Sequence, residues 1–244
     1  SSETTLVFID ITRIKKLENI RKDFIANLSH ELRTPVAVIR ANSESLVDGA
    51  LDDKEIAQKF SNAILKNSEK LSYLLEDILN LSTIESGEYN LELSENGVLD
   101  IFKNSINSVL SNHPDVKITN NISSDVEVIC DIKALSQVID NLIENSVKYG
   151  VSEECNEIII NMKDQGSKVR FEIEDRGQGI PADQRERVFE RFFRIQNNNT
   201  SLKEGTGLGL SIVKNLVNLM GGSVGNEKAY PEGTIFWFTL NKKN

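Results

Sequence analysis

Phe24-Ile25-Ala26-Asn27-Leu28-Ser29-His30-Glu31-Leu32-Arg33-Thr34-Pro35 is the stretch from which the rest of the chain can be read. It lies within a helical pattern from Ile11 to about Val47, interrupted only by Pro35. Ile25, Leu28, Leu32, Ile39 and Leu46 advance in threes, fours and sevens, which at 100° per residue puts them on one narrow face, as in a bundle seam. His30 stands two residues from both Leu28 and Leu32, so the same geometry turns it to the opposite, solvent side. Glu31 is beside it, able to accept a ring proton, and Thr34 follows one turn on along the same exposed face. Pro35 lacks the amide that would bond the Glu31 carbonyl, which predicts a kink just below the histidine. By themselves these residues fit a nucleophile site, and they also fit an inert surface histidine on an imperfect helix.

A break at Asp48-Gly49 and a second helix from about Asp53 to Ile84 follow, its apolar side carrying Ile56, Phe60, Ala63, Asn67, Leu71, Leu74, Ile78 and Leu81. Two long helices with a short connection lie antiparallel, and such a hairpin cannot cover its own wide stripes. A second copy completing a four-helix bundle is the expected remedy; packing against the rest of the chain is the alternative. Upstream, Thr5 to Ile9 reads as a single strand, the end of a preceding module.

From about Tyr89 the pattern changes to short strands interleaved with helices. Strands are expected at Leu91 and Leu93, Val126 and Val128, Ile158 and Ile160, Val169 to Ile173, and Ile235 to Leu240; helices near 98–111, 131–149 and 208–220. That alternation makes an α/β domain, one sheet backed by helices. On the second of these helices Asn141, Asn145, Lys148 and Tyr149 share a face, opposite Leu135, Val138, Ile139 and Leu142. Asparagine is a poor helix former, so the pair costs stability without local gain. Amide oxygens suit Mg²⁺ and lysine suits phosphate, although a solvated helix face accounts for the row equally well.

Two glycine motifs follow. Asp175-Arg176-Gly177-Gln178-Gly179 ends a strand, where a carboxylate can accept a bond from an exocyclic amine while the glycines let backbone approach a flat ring; an ordinary turn uses the same residues. Gly205-Thr206-Gly207-Leu208-Gly209 runs into an amphipathic helix, the entry that cradles phosphates. Between them Phe189, Phe192 and Phe193 stand among Arg187, Arg191 and Arg194, ahead of an Asn-rich tract at 196–201; the phenylalanines are expected to anchor this long loop. Thr234, before the last strand, is a further small polar candidate.

The whole chain has 244 residues, 39% hydrophobic and 27% charged, enough apolar material for two cores and too much for a disordered polymer. With 28 Lys plus Arg against 37 Asp plus Glu the net charge is -9, which argues against nucleic acid as a partner. Cys130 and Cys155 are the only cysteines, pointing to a reducing compartment, and no apolar run approaches the roughly 20 residues of a membrane span. No G-x-x-x-x-G-K-[ST] element occurs, which excludes a P-loop enzyme.

Taken in order, the segment Phe24 to Pro35, the helix Asn141 to Gly150, Asp175 to Gly179, Phe189 to Phe193 and Gly205 to Leu210 closely resemble the H, N, G1, F and G2 boxes of sensor histidine kinases of two-component systems. The likeness covers nearly everything from about residue 20. It implies a multidomain α and α/β chain: a helical hairpin forming a dimeric four-helix bundle, followed by an α/β sandwich ATP-binding domain of the kind shared with gyrase, the Hsp90 chaperones and MutL. The implied divisions are 1–10, the end of a PAS-like sensor; 11–88, linker helix and phosphotransfer hairpin; and 89–244, the catalytic domain.

Carried over by residue, the resemblance makes His30 the phosphoacceptor, Glu31 the base that polarises it, and Thr34 the group that orients a water for dephosphorylating the partner. Asn145 would hold Mg²⁺ with Asn141 in support, Lys148 and Tyr149 would contact phosphate and sugar, and Asp175 would read the adenine amine. Gly177, Gly179, Gly205, Thr206, Gly207, Leu208 and Gly209 would shape the ATP pocket, with Arg194 at the γ-phosphate and Thr234 in the pocket wall. Ser146 departs from the family, which usually has alanine there. The implied partners are a second copy and the receiver domain of a response regulator, with no membrane contact in this stretch and a cytoplasmic location, membrane anchoring of a longer parent protein being left open. The competing readings are an ATP-driven conformational machine of the chaperone type, which has no use for an exposed His-Glu-x-x-Thr, and a scaffold without catalysis.

Overall fold

The structure, a computed structural model, describes residues 10–123, 126–151, 155–195 and 206–243. The strand expected at Thr5 to Ile9, the Asn-rich tract and Gly205 lie outside those residues. The chain divides into two compact units, the first running to Leu75 and the second Glu76–Asn244.

In the first unit, α1 (Thr12–Val47) runs unbroken through Pro35. A single 3₁₀ turn, Ala50–Asp52, leads from it to α2 (Lys54–Glu85). Asp53 starts α2: its Oδ1 accepts from the backbone N–H of Glu55 at 3.0 Å and of Ile56 at 3.1 Å, satisfying donors that have no partner inside the helix. The apolar stripes are only partly covered. Ile25 is 52% exposed, Leu65 59% and Leu75 56%, large side chains that one copy of the hairpin leaves to water.

The second unit takes in the end of α2 from Glu76 onward, where Leu81 and Ile84 are buried. Its elements are β1 (Ser94–Gly97), α3 (Val98–Asn112), β2 (Lys117–Asn120), β3 (Glu127–Cys130), α4 (Ile132–Gly150), β4 (Glu157–Asp164), β5 (Lys168–Glu174), α5 (Gly209–Leu219), β6 (Ser223–Lys228) and β7 (Thr234–Asn241). Five strands form the main sheet in the order β2-β4-β5-β7-β6; β2 runs parallel to β4 and the remaining pairs are antiparallel. β1 and β3 make a separate two-stranded sheet.

Period-two alternation decides which face is buried. Ile158 and Ile160 of β4, Val169, Phe171 and Ile173 of β5, and Phe236, Phe238 and Leu240 of β7 are all inside. The rings of Phe102 on α3, Phe171 and Phe238 follow one another at centroid separations of 5.3 and 5.1 Å, joining helix layer to sheet. α4 contributes Val138, Ile139, Leu142 and Ile143 to this core, and α5 contributes Ile212, Val213, Leu216 and Val217. The opposite face is polar: the Arg170 guanidinium lies 4.5 Å above the Trp237 ring, and Glu172 pairs with Lys163 at 2.9 Å. This is the two-layer sandwich expected from the strand and helix alternation.

Two details differ from the sequence reading. Leu91 and Leu93 are not in a strand; pairing begins at Ser94, where β1 meets β3 with Ser94 opposite Cys130. And β2 and β6, which the apolar pattern did not show, are the two edges of the main sheet. An edge strand is half solvated and carries few apolar residues, so Lys117-Ile-Thr-Asn120 and Ser223-Val-Gly-Asn-Glu-Lys228 give no alternation to read.

Candidate functional site

α1 presents His30 and Thr34 exposed, away from the seam as the helical spacing requires, with Glu31 half-buried beside His30. Thr34 Oγ1 donates to the His30 carbonyl at 3.3 Å, bonding back one turn within the segment where Pro35 removes a helix hydrogen bond. Its hydroxyl proton is thereby used, and its lone pairs face outward as acceptors.

In the second unit β5 ends at Glu174 and delivers Asp175 into the interior, 3% exposed. Asp175 Oδ1 accepts from the backbone N–H of Gly177 at 3.0 Å and of Thr234 at 3.1 Å, while the Asp175 N–H donates to the Thr234 carbonyl at 2.9 Å. Both bonds fall on one oxygen, which leaves Oδ2 outside the two amide bonds. Burial pushes the carboxyl up from its ordinary value, and the Gly177 and Thr234 amides oppose that without cancelling it. Gly177 is required by space, because a β-carbon there would strike the Tyr149 carbonyl and the Gly150 backbone. Thr234 is buried and enters through its backbone; Gly179 comes within reach of Gly233.

α4 brings the amides alongside. Asp131 caps it, accepting from the Ala134 N–H at 3.0 Å. Asn145 is half-buried, and Asn141 donates to the Gln137 carbonyl at 2.9 Å, which turns its oxygen toward Gly209 at the start of α5. Lys148 pairs with Glu144 at 3.2 Å on a solvated stretch, so its ammonium is available at little cost. Tyr149 is 37% exposed, and Arg194 is exposed on the stretch beyond Phe193.

The second glycine motif is joined to the phenylalanine segment. Phe189 is buried edge-on to Phe236 with centroids 6.4 Å apart, and the Phe192 N–H donates to the Gly207 carbonyl at 2.9 Å. Gly207 takes φ +71, and a β-carbon there would strike the Phe192 backbone, so no side chain fits. Thr206 Oγ1 accepts from the Leu208 N–H at 3.2 Å and donates to Asp77 Oδ2 at 3.1 Å, a partner that the sequence reading missed. Burial raises the Asp77 carboxyl, while Thr206 and Lys148 act the other way. Nothing in the sequence marks Asp77, since an acidic residue on an amphipathic helix is the commonest solvated feature there is. Leu208 is fully buried below α5.

Asp175, Gly177, Gly179 and Thr234 are thus gathered at one strand end, and Asn141 reaches the α5 entry; His30, Glu31 and Thr34 belong to the other unit.

Two family models match the chain in succession. Residues 20–87 match the His Kinase A (phospho-acceptor) domain and residues 130–244 the histidine kinase-, DNA gyrase B- and HSP90-like ATPase. The sensor histidine kinase WalK of Bacillus subtilis is 32% identical over 239 residues, covering 97% of this chain and 39% of WalK. The sensor protein kinase WalK of Staphylococcus aureus is 31% identical over 241 residues, covering 96% of this chain and 57% of the relative. The chain therefore spans well under two thirds of the curated relatives it matches. Among solved structures, full-length ShkA in complex with AMPPNP is 25% identical with a TM-score of 0.63, over 91% of this chain and 46% of that one. The Acinetobacter baumannii histidine kinase AdeS, 23% identical, shares the fold at a TM-score of 0.70 over 88% of this chain and 98% of its own. With a phospho-acceptor hairpin followed by an ATPase domain of this fold, the chain belongs to the sensor histidine kinases of two-component systems.

Proposed function

We propose that this chain binds ATP in the pocket around Asp175, transfers the γ-phosphoryl group to His30, passes it to an aspartate of a response regulator, and also dephosphorylates that regulator. The observation that carries the reading is the Asp175 carboxyl. It is buried, held through one oxygen by two backbone amides, and has the second oxygen open to the exocyclic amine of a purine. ShkA, a 25% identical neighbour, is described as bound to AMPPNP, an ATP analogue, which supports a nucleotide here. The domain limits follow the same reading, with 11–88 as the phosphotransfer hairpin and 89–244 as the catalytic domain.

Phosphoryl transfer asks for an aligned nucleophile and neutralised charge more than for covalent help. Glu31 takes the ring proton that makes the imidazole of His30 a better nucleophile, and Lys148 meets phosphate oxygens. The half-buried amide of Asn145 suits Mg²⁺, a hard cation that takes oxygen donors. Among the described residues no three His, Cys, Asp or Glu could hold a metal, so the amide and the nucleotide's own phosphates are the fitting donor set. When bound, Mg²⁺ offsets triphosphate charge. Asn141 supports Asn145 from one turn away, Tyr149 contacts the sugar, Arg194 the γ-phosphate, and the glycines at 177, 179, 207 and 209, with Thr206 and Leu208, shape the pocket. No described helix is long and apolar enough to cross a membrane. The direct test is incubation with γ-labelled ATP and Mg²⁺: the protein acquires an acid-labile, base-stable label. Absence of label from a protein that binds ATP would refute the kinase reading.

Kinase and phosphatase steps separate on one helix face. Glu31→Gln loses self-labelling by roughly the 10² to 10⁴ of a general base yet still dephosphorylates the regulator. Thr34→Ala does the reverse, since the Thr34 hydroxyl, its proton on the His30 carbonyl, has lone pairs left to hold an attacking water. The two rates are measured separately, the second with purified phosphorylated regulator; equal losses in both would show that the segment acts as one structural unit.

A homodimer is part of the reading. The exposed Ile25, Leu65 and Leu75 of the hairpin need covering, and a second hairpin covers them in a four-helix bundle. Light scattering at micromolar concentration should return twice the 27.3 kDa chain mass. A value of one chain mass would remove the bundle.

A further inference from the structure

Thr206 carries the only polar side chain of the motif Gly205 to Gly209, and its hydroxyl proton is already committed. It donates to Asp77 Oδ2 at 3.1 Å while accepting from the Leu208 N–H at 3.2 Å. A hydroxyl has one proton, so as long as the Asp77 bond lasts Thr206 has no donor for another anion. Asp77 comes from the part of α2 that belongs to the second unit. α5 begins three residues beyond Thr206 with no acidic residue in its first turn and no side-chain cap. Its leading amides, which have no partner inside the helix, are therefore open to an anion.

The charges around Asp77 single out the same place. Burial opposes its ionisation, as do the neighbouring carboxylates Glu76 and Glu144; Thr206 and Lys148 favour it. Lys148, on α4, also pairs with Glu144 at 3.2 Å, so its ammonium is shared. Both groups that favour the Asp77 carboxylate thus have a place in the ATP reading: Lys148 meets phosphate oxygens, and Thr206 stands at the helix entry that cradles them. All of this is within reach of a ligand, since Asp77 and Thr206 are half-buried and Lys148 is exposed.

We infer that Asp77 is an internal competitor for the nucleotide's phosphates, a carboxylate that holds Thr206 and draws on Lys148 until a polyphosphate displaces it. It sets the affinity for ATP without touching the base. This rests on the reading of Asp175 as the adenine contact and of the α5 entry as the phosphate site. A triphosphate arriving there meets a negative charge, and it gains the Thr206 hydroxyl and the full Lys148 ammonium only by taking them from Asp77.

The test is titration of the full chain with ATP, ADP and adenosine in Mg²⁺ buffer, for wild type, Asp77→Asn and Asp77→Ala. Asparagine keeps an oxygen to accept from Thr206 and loses the charge; alanine frees the hydroxyl as well. Asp77→Asn tightens ATP about 3- to 10-fold at low salt, as for one like-charge repulsion at a half-solvated site, and Asp77→Ala does so at least as strongly. ADP gains less, and adenosine, which has no phosphate, keeps its wild-type affinity. Salt near 1 M, where screening acts within about 3 Å, removes most of the asparagine gain. Unchanged or weakened ATP binding in either variant overturns the inference, and so does an equal gain for adenosine. A wild type that binds neither adenosine nor ATP would instead overturn the Asp175 reading, so the adenosine titration tells the two failures apart.

Discussion

Replacing His30 by alanine is expected to reduce self-labelling to background while ATP affinity stays at the wild-type value. The reason is the division of the molecule: His30 is an exposed side chain of α1 in the unit that ends at Leu75, and Asp175 with its glycine turns belongs entirely to the unit that begins at Glu76. An exposed side chain on a helix surface contributes little to stability, so the variant folds and the loss is one of chemistry. No neighbouring group can substitute, because Glu31 and Thr34 do not form the acid-labile, base-stable nitrogen adduct that marks a phosphorylated imidazole. Two measurements decide it, label retained after base and nucleotide binding by titration. A label that persists in His30→Ala places the phosphoacceptor elsewhere.

The second large effect comes from Asp175→Asn, which should weaken ATP binding and at the same time stabilise the empty domain. Asparagine keeps an oxygen to accept from the Gly177 and Thr234 amides, so the local fold survives. Its other atom is now an NH₂, which turns a donor toward the donor of the adenine amine. Losing a charge-assisted bond and confronting two donors costs about 2–3 kcal/mol, roughly 30- to 150-fold in affinity. The stability effect has the opposite sign. Burial raises the folded-state carboxyl above its unfolded value despite the two amides, so the folded domain holds the proton more tightly than the unfolded chain does. That contribution to stability is fully present below the unfolded pKa and is lost as pH rises through the raised folded one. At neutral pH the charged wild type is therefore the less stable of the two, and the asparagine variant should melt higher without nucleotide, the gap closing as pH falls below the carboxylate range. Melting curves at several pH values and a nucleotide titration check both halves. A variant that binds ATP as well as wild type would remove Asp175 from the pocket.

Much of this is legible in the sequence. The seam spacing of Leu28 and Leu32 put His30 on the outside of its helix, where it is found, because helical periodicity is a local property that neighbouring units do not alter. The inner faces of β4, β5 and β7 were readable for a similar reason: a central strand covered on one face must alternate, and Val169, Phe171 and Ile173 do so. Asp175 at a strand end, followed by glycines, pointed to a turn at a ligand.

What the sequence by itself determined, then, is every element long or buried enough to leave a period, together with the chemical types grouped at 30–34, 141–149 and 175–179. The tertiary structure decided what depends on residues far apart in the chain. The edge strands β2 and β6 are defined by hydrogen bonds to β4 and β7, not by apolar content of their own. The hold on one Asp175 oxygen comes from Thr234, 59 residues away, and the partner of Thr206 is Asp77, 129 residues away. Neither bond has a local signature, since any serine, threonine or aspartate on a helix or turn looks solvated until folding removes the water. The burial of Ser146 belongs to the same class: only packing of α4 against the sheet takes its hydroxyl out of solvent.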